Sequence, residues 1–505
     1  MTRRARHNGW VYLAVSLLGL AAARQARADE PSGQAPPPPP PPPQTDPSAP
    51  PPADRPPPPA PPPPKPHDGR FEFGSYGRVH FASDLQGGTG RKANIVAHGT
   101  RIDEDDYAEL ELRREDTFDV GIKSRVVATV ALFGPYFHFT GKVPDKIAVR
   151  NLYAQAQWNR FTLWAGARMY RGDDIYLLNW WPLDNQNTVG GGLGARVWDD
   201  GERENAPPRL ETNVAAHIGQ QRLDNQYQYQ TIPVVAPFGF GTVDVTKLDR
   251  PRTIETLKIT QHVRGAQRGG FKAILYGELH ELAAGVYRDP VTNKDLGLPS
   301  DFGWMLGSQL TYYTGERDTY VSLVLRHARG VAAYDPLAVP MTFANDKTTS
   351  GSSETTLALG GNYEQEHFGV LAGAYMRFFR DGDPAPTSTQ KYDEGTAVLR
   401  PAVFLGDHFG VAVEGSYQAR RIAVLDKATN EPLTASAFRG ALIPYFSFTG
   451  RGNFKRPWIY AIYAATARNA GARALYAPED VFAQRSVEHF AGLGVEWWFN
   501  SSSYP

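Results

Sequence analysis

A stretch between Trp164 and Asp184 is where this chain's side chains are best suited to do chemistry. It reads WAGARMYRGDDIYLLNWWPLD, and its 21 residues hold two arginines, three aspartates, two tyrosines and three tryptophans. Charged and aromatic side chains crowded this closely are seldom a packed core. They could cleave a sugar, bind one, or line a path along which one diffuses.

Of these three functions, cleavage of a glycosidic bond is the one that the residues support least. It needs two carboxyl groups about 5–5.5 Å or about 6.5–9.5 Å apart, one of them with a raised pKa. Asp173 and Asp174 are adjacent, so in an extended chain their side chains point apart. The 12 histidines form no H-E-x-x-H, and VGGGLGA lacks a following Lys-Ser/Thr. We therefore expect no enzyme, no metal and no cofactor, with a secreted glycoside hydrolase as an unfavoured alternative.

The N-terminus predicts export. Arg3, Arg4 and Arg6 precede the apolar run VYLAVSLLGLAAA and an A-x-A site ending at Ala28, the pattern of a signal peptide over residues 1–28. Its removal takes away five arginines and no acids, leaving 48 basic against 53 acidic residues. This balance gives no reason to expect nucleic-acid binding. The absence of cysteine excludes disulfides, thiolate zinc sites and cysteine nucleophiles.

A proline-rich segment follows. Residues 31–66 hold 22 of the 42 prolines, a composition that forms extended polyproline II rather than a core. We predict a disordered periplasmic spacer over residues 29–70. Its binding partner is left undetermined between peptidoglycan and a periplasmic protein, such as one with a proline-binding domain. A barrel is predicted over residues 71–499 and a short C-terminal extension over residues 500–505.

From residue 71 onward the apolar residues alternate with period two. FEFGSYGRVHF, DYAELELRR, FGVAVEGSYQ and HFAGLGVEWWF each place apolar residues on one face and polar or mixed residues on the other. Short turns at residues 365–367 and 406–408 join strands into hairpins, and longer segments such as FANDKTTSGSSE and ATNEPLTAS separate them. Beyond the signal no apolar run reaches 18 residues. The layout predicts an all-β transmembrane barrel in the bacterial outer membrane, against a soluble β-sandwich or propeller.

The order of motifs resembles the maltoporin family of sugar-specific outer-membrane porins. FGSYGRVHF, YAELEL, VRNLYAQ and the stretch from Trp164 come in that order, and LRPAVFLGDHFGVAVEGSYQ, FKRPWIYAIYAATAR and VEWWF match the last strands. The resemblance implies an eighteen-stranded antiparallel barrel, assembly as a homotrimer in outer-membrane lipid, and a third loop folded inward as a constriction. It also implies a path of aromatic rings for sugar, flanked by ionisable residues.

The resemblance implies particular residues for this path. Its aromatic positions are Tyr76, Tyr107, Trp181, Phe271, Phe454 and Trp498. Its polar positions, which would bind sugar hydroxyls, are Arg78, Arg101, Glu109, Arg150 and Asp174. Independently, the alternation places Tyr76 with Arg78, Tyr107 with Glu109, and Trp498 with Glu496 on the polar face. Arg150 has the parity of outward residues, so it must lie where regular alternation has not begun.

The constriction loop departs from the family at two positions. Asn179 stands where the family has a second aspartate, and Arg171 lies beside the position of the family's arginine, which Gly172 occupies. In the second loop, GPYFHF offers Tyr136, Phe137 or Phe139 to reach a neighbouring subunit. We expect an outer-membrane porin for maltodextrin-like oligosaccharides, with a general diffusion porin as the alternative.

Overall fold

The computed structural model describes the part of the chain that carries the predicted strands. The described residues are 68–133, 147–201, 207–225, 227–239, 241–265, 269–336, 338, 340, 344–426 and 429–502. The predicted signal peptide, nearly all of the predicted spacer, and the second-loop aromatics Tyr136, Phe137 and Phe139 lie outside these residues.

The described residues form mainly β-strands, numbered here in chain order. They are β1 Asp68–Ser83, β2 Tyr107–Thr117, β3 Ile122–Phe133, β4 Ile147–Trp158, β5 Phe161–Met169, β6 Asn187–Asp199, β7 Leu210–Gln221, β8 Tyr229–Val235, β9 Thr242–Asp249, β10 Arg252–Arg264, β11 Gly270–Leu282, β12 Gly285–Arg288, β13 Asp295–Leu298, β14 Asp301–Tyr313, β15 Tyr320–Gly330, β16 Ser353–Glu364, β17 Phe368–Arg380, β18 Lys391–Phe404, β19 Phe409–Leu425, β20 Pro432–Ser447, β21 Trp458–Arg468 and β22 Val487–Phe499.

Eighteen of these strands form one closed antiparallel sheet. Each barrel strand pairs with the next, and β1 closes the circle by pairing with β22. The hairpins β8–β9 and β12–β13 form separate two-stranded sheets, so β7 pairs directly with β10 and β11 with β14. Closure leaves no barrel strand with an unpaired edge, the condition for a sheet to span a bilayer. The predicted fold is confirmed.

The alternation along the strands sorts side chains between lipid and lumen. On β1, Phe71 and Phe81 are 68% and 79% exposed, whereas the ring of Tyr76 is 1% exposed. On β2, Leu110 and Leu112 point outward and Glu109 is buried inside. An apolar exterior around a polar interior is the arrangement of an outer-membrane barrel.

In the ranges that the structure describes, helical structure is confined to short segments of the connections. The described residues contain 3-10 turns at Arg101–Asp103, Tyr176–Leu178 and Val331–Ala333, and short α-helices at Ala470–Arg473 and Val481–Gln484. No helix among them has the length and apolar character needed to cross a membrane. The hairpin turns predicted at residues 365–367 and 406–408 lie between β16 and β17 and between β18 and β19, as expected.

Among the described residues, long connections fold into the barrel, and the site below is built from two of them. Counting the connections at the end of the barrel where β1 stops, loop 1 (residues 84–106) joins β1 to β2 and loop 3 (residues 170–186) joins β5 to β6. Loop 3 was expected to fold inward, whereas the inward course of loop 1 was not. Loop 3 continues its two strands as a narrow ribbon, in which the Tyr170 amide donates to the Gln186 carbonyl at 2.7 Å and the Ile175 amide to the Trp180 carbonyl at 2.8 Å.

Candidate functional site

Loop 3 is fastened to the inner wall on the side of β10 to β15. Asp184 pairs with Lys258 of β10, and Asp173 pairs with Lys272 of β11. Farther along, Arg326 of β15 donates from Nη1 to the Pro182 carbonyl at 2.9 Å. These contacts hold loop 3 across the lumen rather than letting it extend into solvent.

Loop 1 crosses the interior to strands remote from its own. The amide of Ile95 donates to Oε1 of Gln418 on β19 at 2.9 Å, and the amide of His98 donates to the Tyr375 hydroxyl on β17 at 3.1 Å. Arg439 of β20 donates to Oδ1 of Asp103 at 2.9 Å. Loop 1 is therefore held to the wall formed by β17 to β20.

The two loops meet inside the barrel. Their meeting point, called here the loop contact, consists of three pairs: His98 with Trp180, Arg101 with Tyr176, and Glu104 with Asn179. The rings of His98 and Trp180 stack at 4.2 Å and 13°. Burial lowers the pKa of His98 to about 3, so this ring is neutral at physiological pH. The Arg101 guanidinium lies 4.4 Å from the Tyr176 ring centroid, and Asn179 Nδ2 donates to Glu104 Oε1 at 3.0 Å.

Four of the predicted path aromatics gather around a fifth ring. Tyr76 and Tyr107 lie on adjacent strands with centroids 5.8 Å apart, and Tyr76 is the cross-strand partner of Trp498. Tyr176 of loop 3 packs edge-on against Phe454 at 5.4 Å and against Trp498 at 6.0 Å. These residues, Tyr76, Tyr107, Tyr176, Phe454 and Trp498, are called here the aromatic cluster.

Two of the predicted arginines bind the hydroxyl of Tyr76. Arg78 donates to it at 3.0 Å and also pairs with Glu104 at 2.8 Å. Arg101 donates to the same hydroxyl at 2.6 Å and pairs with Glu496 at 2.6 Å. The predicted polar residues thus lie beside the rings, in contact with acceptors supplied by loop 1 and β22.

The sequence interpretation assigned no role to three residues at the centre of this arrangement, Tyr176, Arg456 and Glu496, although it placed Glu496 on the polar face. Tyr176 donates from its hydroxyl to Oε2 of Glu496 at 3.0 Å, and Arg456 donates to the same carboxylate oxygen at 2.8 Å. Tyr176 lies within the stretch that first suggested chemistry, and Glu496 shares parity with Trp498. The positions of Tyr176 and Glu496 in the sequence could therefore have marked them as candidates. Nothing in the local sequence, however, indicates that their side chains contact each other.

Arg150 reaches the site through a β-bulge. The register of β3 pairs with Asn151 and then with Val149, skipping Arg150, so that Arg150 and Asn151 both face inward. The Arg150 guanidinium lies 5.4 Å from the centroid of Tyr107, and its Nε is 4.0 Å from Glu109. The Tyr107 hydroxyl in turn donates to the Glu109 carboxylate. The sequence predicted that Arg150 lies before regular alternation begins, whereas the alternation begins at Ile147 and is interrupted at Arg150 by this bulge.

The remaining constriction residues lie along loop 3 itself. The ring of Trp181 is 7% exposed, and the guanidinium of Arg171 lies 4.0 Å from its centroid. Asp174 is partly buried. Burial raises the pKa of Asp174 to about 6, with repulsion from Asp173 in the same direction and attraction to Arg101 opposing it. Asp174 is thus an acceptor whose charge changes near neutral pH.

Phe271 lies outside the path, and its predicted placement is wrong. Its ring is 48% exposed on the outer surface, 5.1 Å from the ring of Tyr312. The next residue, Lys272, faces inward and holds loop 3. Because neighbouring residues of a strand face opposite sides, an alignment shifted by one position exchanges lumen for lipid.

The space at the aromatic cluster is small. A cavity of about 30 Å³ is bounded there by Arg78, Arg101, Tyr176, Trp458 and Glu496, among others. A single water needs about 10–15 Å³, so the cavity admits water but no sugar ring. No group of three or more metal-ligating side chains occurs among the residues described.

Comparison with known proteins identifies the family. The family model described as LamB porin matches residues 71–499. No curated protein sequence matches the chain.

Among solved structures, similar chains include OccK3 (OpdO) of Pseudomonas aeruginosa, with 12% identity, a TM-score of 0.40, and coverage of 86% of this chain and 96% of that one. OccAB1 of Acinetobacter baumannii has 12% identity and a TM-score of 0.41 over 86% of this chain and 96% of its own. OmpT of Vibrio cholerae has 11% identity and a TM-score of 0.36 over 85% and 99%. With a family match that spans nearly all of the barrel, this chain belongs to the LamB porin family.

Proposed function

We propose that this outer-membrane porin facilitates the diffusion of maltodextrin-like oligosaccharides, as a homotrimer, along the aromatic cluster of its inner wall. The observation that carries the proposal is the convergence of Tyr76, Tyr107, Tyr176, Phe454 and Trp498 with flanking arginines and carboxylates. A channel selective only by size and charge does not need such a set of rings.

The chemistry of the cluster suits a sugar. A pyranose ring has an apolar face of C–H groups, to which aromatic rings offer broad contact at low conformational-entropy cost. Its hydroxyls need donors and acceptors, which arginine and carboxylate side chains supply. Several weak binding stations in series let a ligand enter and still leave.

Passage along the cluster requires loop 1 to move. Tyr76 and Tyr107 are buried, and Arg101 of loop 1 lies over Tyr176. Loop motions that open and close a site occur on microsecond-to-millisecond timescales. The arrangement described is therefore the closed form of the path, and separation of the loop contact opens it.

Planar-bilayer recording tests the proposal. Maltohexaose added to a conducting channel is expected to block the ion current saturably, and Trp181→Ala and Trp498→Ala are expected to weaken the block by up to about tenfold each, since an aromatic stacking contact contributes about 0.5–1.5 kcal/mol. Phe271→Ala is the matched control, because this ring faces lipid. An ion current unaffected by maltohexaose would instead indicate a general diffusion porin.

A second measurement addresses sugar cleavage. Proteoliposomes loaded through the channel should contain maltohexaose of unchanged length, because a porin transports its ligand without altering it. Recovery of shorter products would revive the hydrolase alternative, with Asp173 and Asp174 as the first residues to replace.

A further inference from the structure

Arg168 occupies an unusual position inside the barrel, away from the aromatic cluster. Its guanidinium lies 4.8 Å from the ring centroid of Tyr153, 5.2 Å from Trp164 and 5.1 Å from Tyr170. Among the described residues no carboxylate lies within ion-pair distance of it, and its hydrogen-bond contact is a long one of 3.5 Å to Gln155. A guanidinium held by three rings and one neutral amide keeps its positive charge available to an anion.

A cavity opens beside this guanidinium. It has a volume of about 230 Å³, and its lining comprises Arg168, Trp164, Tyr170, His217, Lys258 and Asp184, with wall residues of β6, β7 and β10 between them. Small-molecule sites are commonly about 300–1,000 Å³, so this one suits a ligand about the size of one sugar ring.

The glycine-rich sequence of β6 makes the room. VGGGLGA places Gly192 and Gly194 on the inward face of the strand. A Cβ on Gly192 would lie 2.5 Å from Trp164 Nε1, so glycine lets the indole lie close against the wall. A Cβ on Gly194 would meet nothing nearer than 3.8 Å, so the absence of a side chain there leaves open space that lines the cavity.

Ring surfaces and polar groups face the same cavity. Tyr170 and His217 stack at 3.9 Å and 5°, and Thr256 bonds to Nδ1 of His217 at 2.7 Å. The Tyr170 hydroxyl and His217 Nε2 are buried without a hydrogen-bond partner among the described residues. Lys258 is neutralised by Asp184, so Arg168 supplies the net charge of the cavity.

A second cavity adjoins this one. Gln155 lines both this cavity and a larger one of about 460 Å³, which is lined also by Arg70, Lys123 and Arg125 near the turn between β2 and β3. This larger cavity is polar, but Glu115 and Asp116 also line it, and Arg70 and Arg125 pair with Glu115, so it offers a ligand hydrogen-bonding groups without an excess of positive charge.

We propose that the cavity around Arg168 is a binding station for an acidic sugar, a pyranose ring that carries a carboxylate. The carboxylate binds the Arg168 fork, the apolar face of the ring packs on Trp164 and Tyr170, and Thr162, Thr256 and Gln155 bind hydroxyls. This station shares no residue with the aromatic cluster, so it extends the porin's range beyond the neutral oligosaccharides proposed above.

Current block in planar bilayers tests the station with glucuronate as the probe. Glucose has the ring without the carboxylate, and acetate has the carboxylate without the ring. Glucuronate is expected to block at a concentration about tenfold lower than glucose, because the charge-assisted hydrogen bonds from the Arg168 guanidinium should strengthen binding by about tenfold. Acetate is expected not to block. Equal block by glucuronate and glucose would overturn the proposal, and equal block by benzoate would overturn the assignment to a sugar acid.

Two variants locate the effect. Arg168→Gln removes the charge, and Gly194→Leu fills the cavity while leaving every charge in place. In each variant the concentrations of glucuronate and glucose that give half-maximal block should become about equal. Arg421→Gln, which removes an exposed arginine of β19, should keep the tenfold preference. Survival of the preference in Arg168→Gln would exclude the site.

The same recordings separate this proposal from the preceding one. Block by maltohexaose should persist in Arg168→Gln, whereas Trp498→Ala should weaken that block and keep the preference for glucuronate.

Discussion

At the scale of single residues, Asn179 of loop 3 is paired with a carboxylate, that of Glu104 on loop 1. It adopts the left-handed backbone conformation, with φ of 46°, which asparagine tolerates better than most residues. Its amide donates to both carboxylate oxygens of Glu104, at 3.0 and 3.2 Å. An aspartate here would face that carboxylate directly. The acceptor charge absent from loop 3 is thus present nearby, on loop 1.

Replacing Asn179 with Asp should loosen the loop contact. A donated bond becomes a repulsion between two carboxylates, and a hydrogen bond to a charged group contributes about 1.5–3 kcal/mol. We expect a higher mean single-channel conductance with more frequent fluctuations. Asn179→Gly, which keeps the backbone conformation and adds no charge, should have a smaller effect. Identical traces for the Asp variant and the wild type would show that this pair does not hold the loops.

Asp174 predicts a pH dependence of sugar binding. Burial raises the pKa of its carboxyl to about 6, so the group is a charged acceptor at pH 7 and largely neutral at pH 5. Maltohexaose block should therefore weaken as the pH falls, with a midpoint near pH 6. In Asp174→Asn this midpoint should disappear. A midpoint that remained in the Asn variant would assign the titration to another group.

At the scale of elements, loop 1 as well as loop 3 folds into the lumen. Loop 3 is held by β10 to β15 and loop 1 by β17 to β20, and the loop contact joins their inner ends. The two loops also share a wall contact at Tyr375 of β17, whose hydroxyl accepts from the His98 amide and whose ring lies 5.4 Å from that of Trp180. Opening the path along Tyr76 needs movement of loop 1, since Arg101, which donates to the Tyr76 hydroxyl, and Glu104, which pairs with Arg78, belong to it.

His98→Ala should shift the balance toward the open path. The variant removes the stack on Trp180, an aromatic pair of about 0.5–1.5 kcal/mol, and so should raise the population of separated loops by up to about tenfold. The association rate of maltohexaose, measured from block frequency in bilayers, should rise accordingly. His98→Phe retains a ring and should resemble the wild type. Equal association rates of maltohexaose in the Ala and Phe variants would show that the stack of His98 on Trp180 does not control opening of the path.

At the scale of the whole molecule, this is an outer-membrane porin of the LamB family with a closed barrel of 18 strands. Its stability comes from continuous backbone pairing and from the contrast between an apolar exterior and a polar interior. The pairing begins at Asp68 of β1, which lies opposite Thr117 of β2. Residues before it are not needed to complete the circle of strands.

Deletion of residues 29–66 should leave the barrel intact. The signal-processed, shortened protein is expected to fold into a heat-modifiable band in gel electrophoresis and to conduct with the wild-type amplitude. Chemical cross-linking of both proteins should give the same trimer band, because the proposed assembly is a property of the barrel. Failure of the shortened chain to insert would show that the predicted spacer contributes to assembly.

The sequence by itself was enough to predict features that depend on the two-residue repeat of a β-strand. Alternation of side chains identified the strands, the hairpin turns and the inward faces of Tyr76, Tyr107 and Trp498, because a strand's geometry repeats every two residues. The motif order also led to the correct family. Phe271 marks the limit of this information, since a shift of one position reverses which face a residue occupies.

Only the tertiary structure decided where the loops go and which charges meet. Loop 1 reaches Gln418 across 323 positions of sequence, and no local pattern encodes so distant a contact. The same holds for Glu104 beside Asn179 and for Glu496 beneath Tyr176, each of which joins two separate loops or strands. Strand pairing is a property of neighbours, whereas the contents of the lumen depend on the closure of the whole barrel, which brings remote segments face to face.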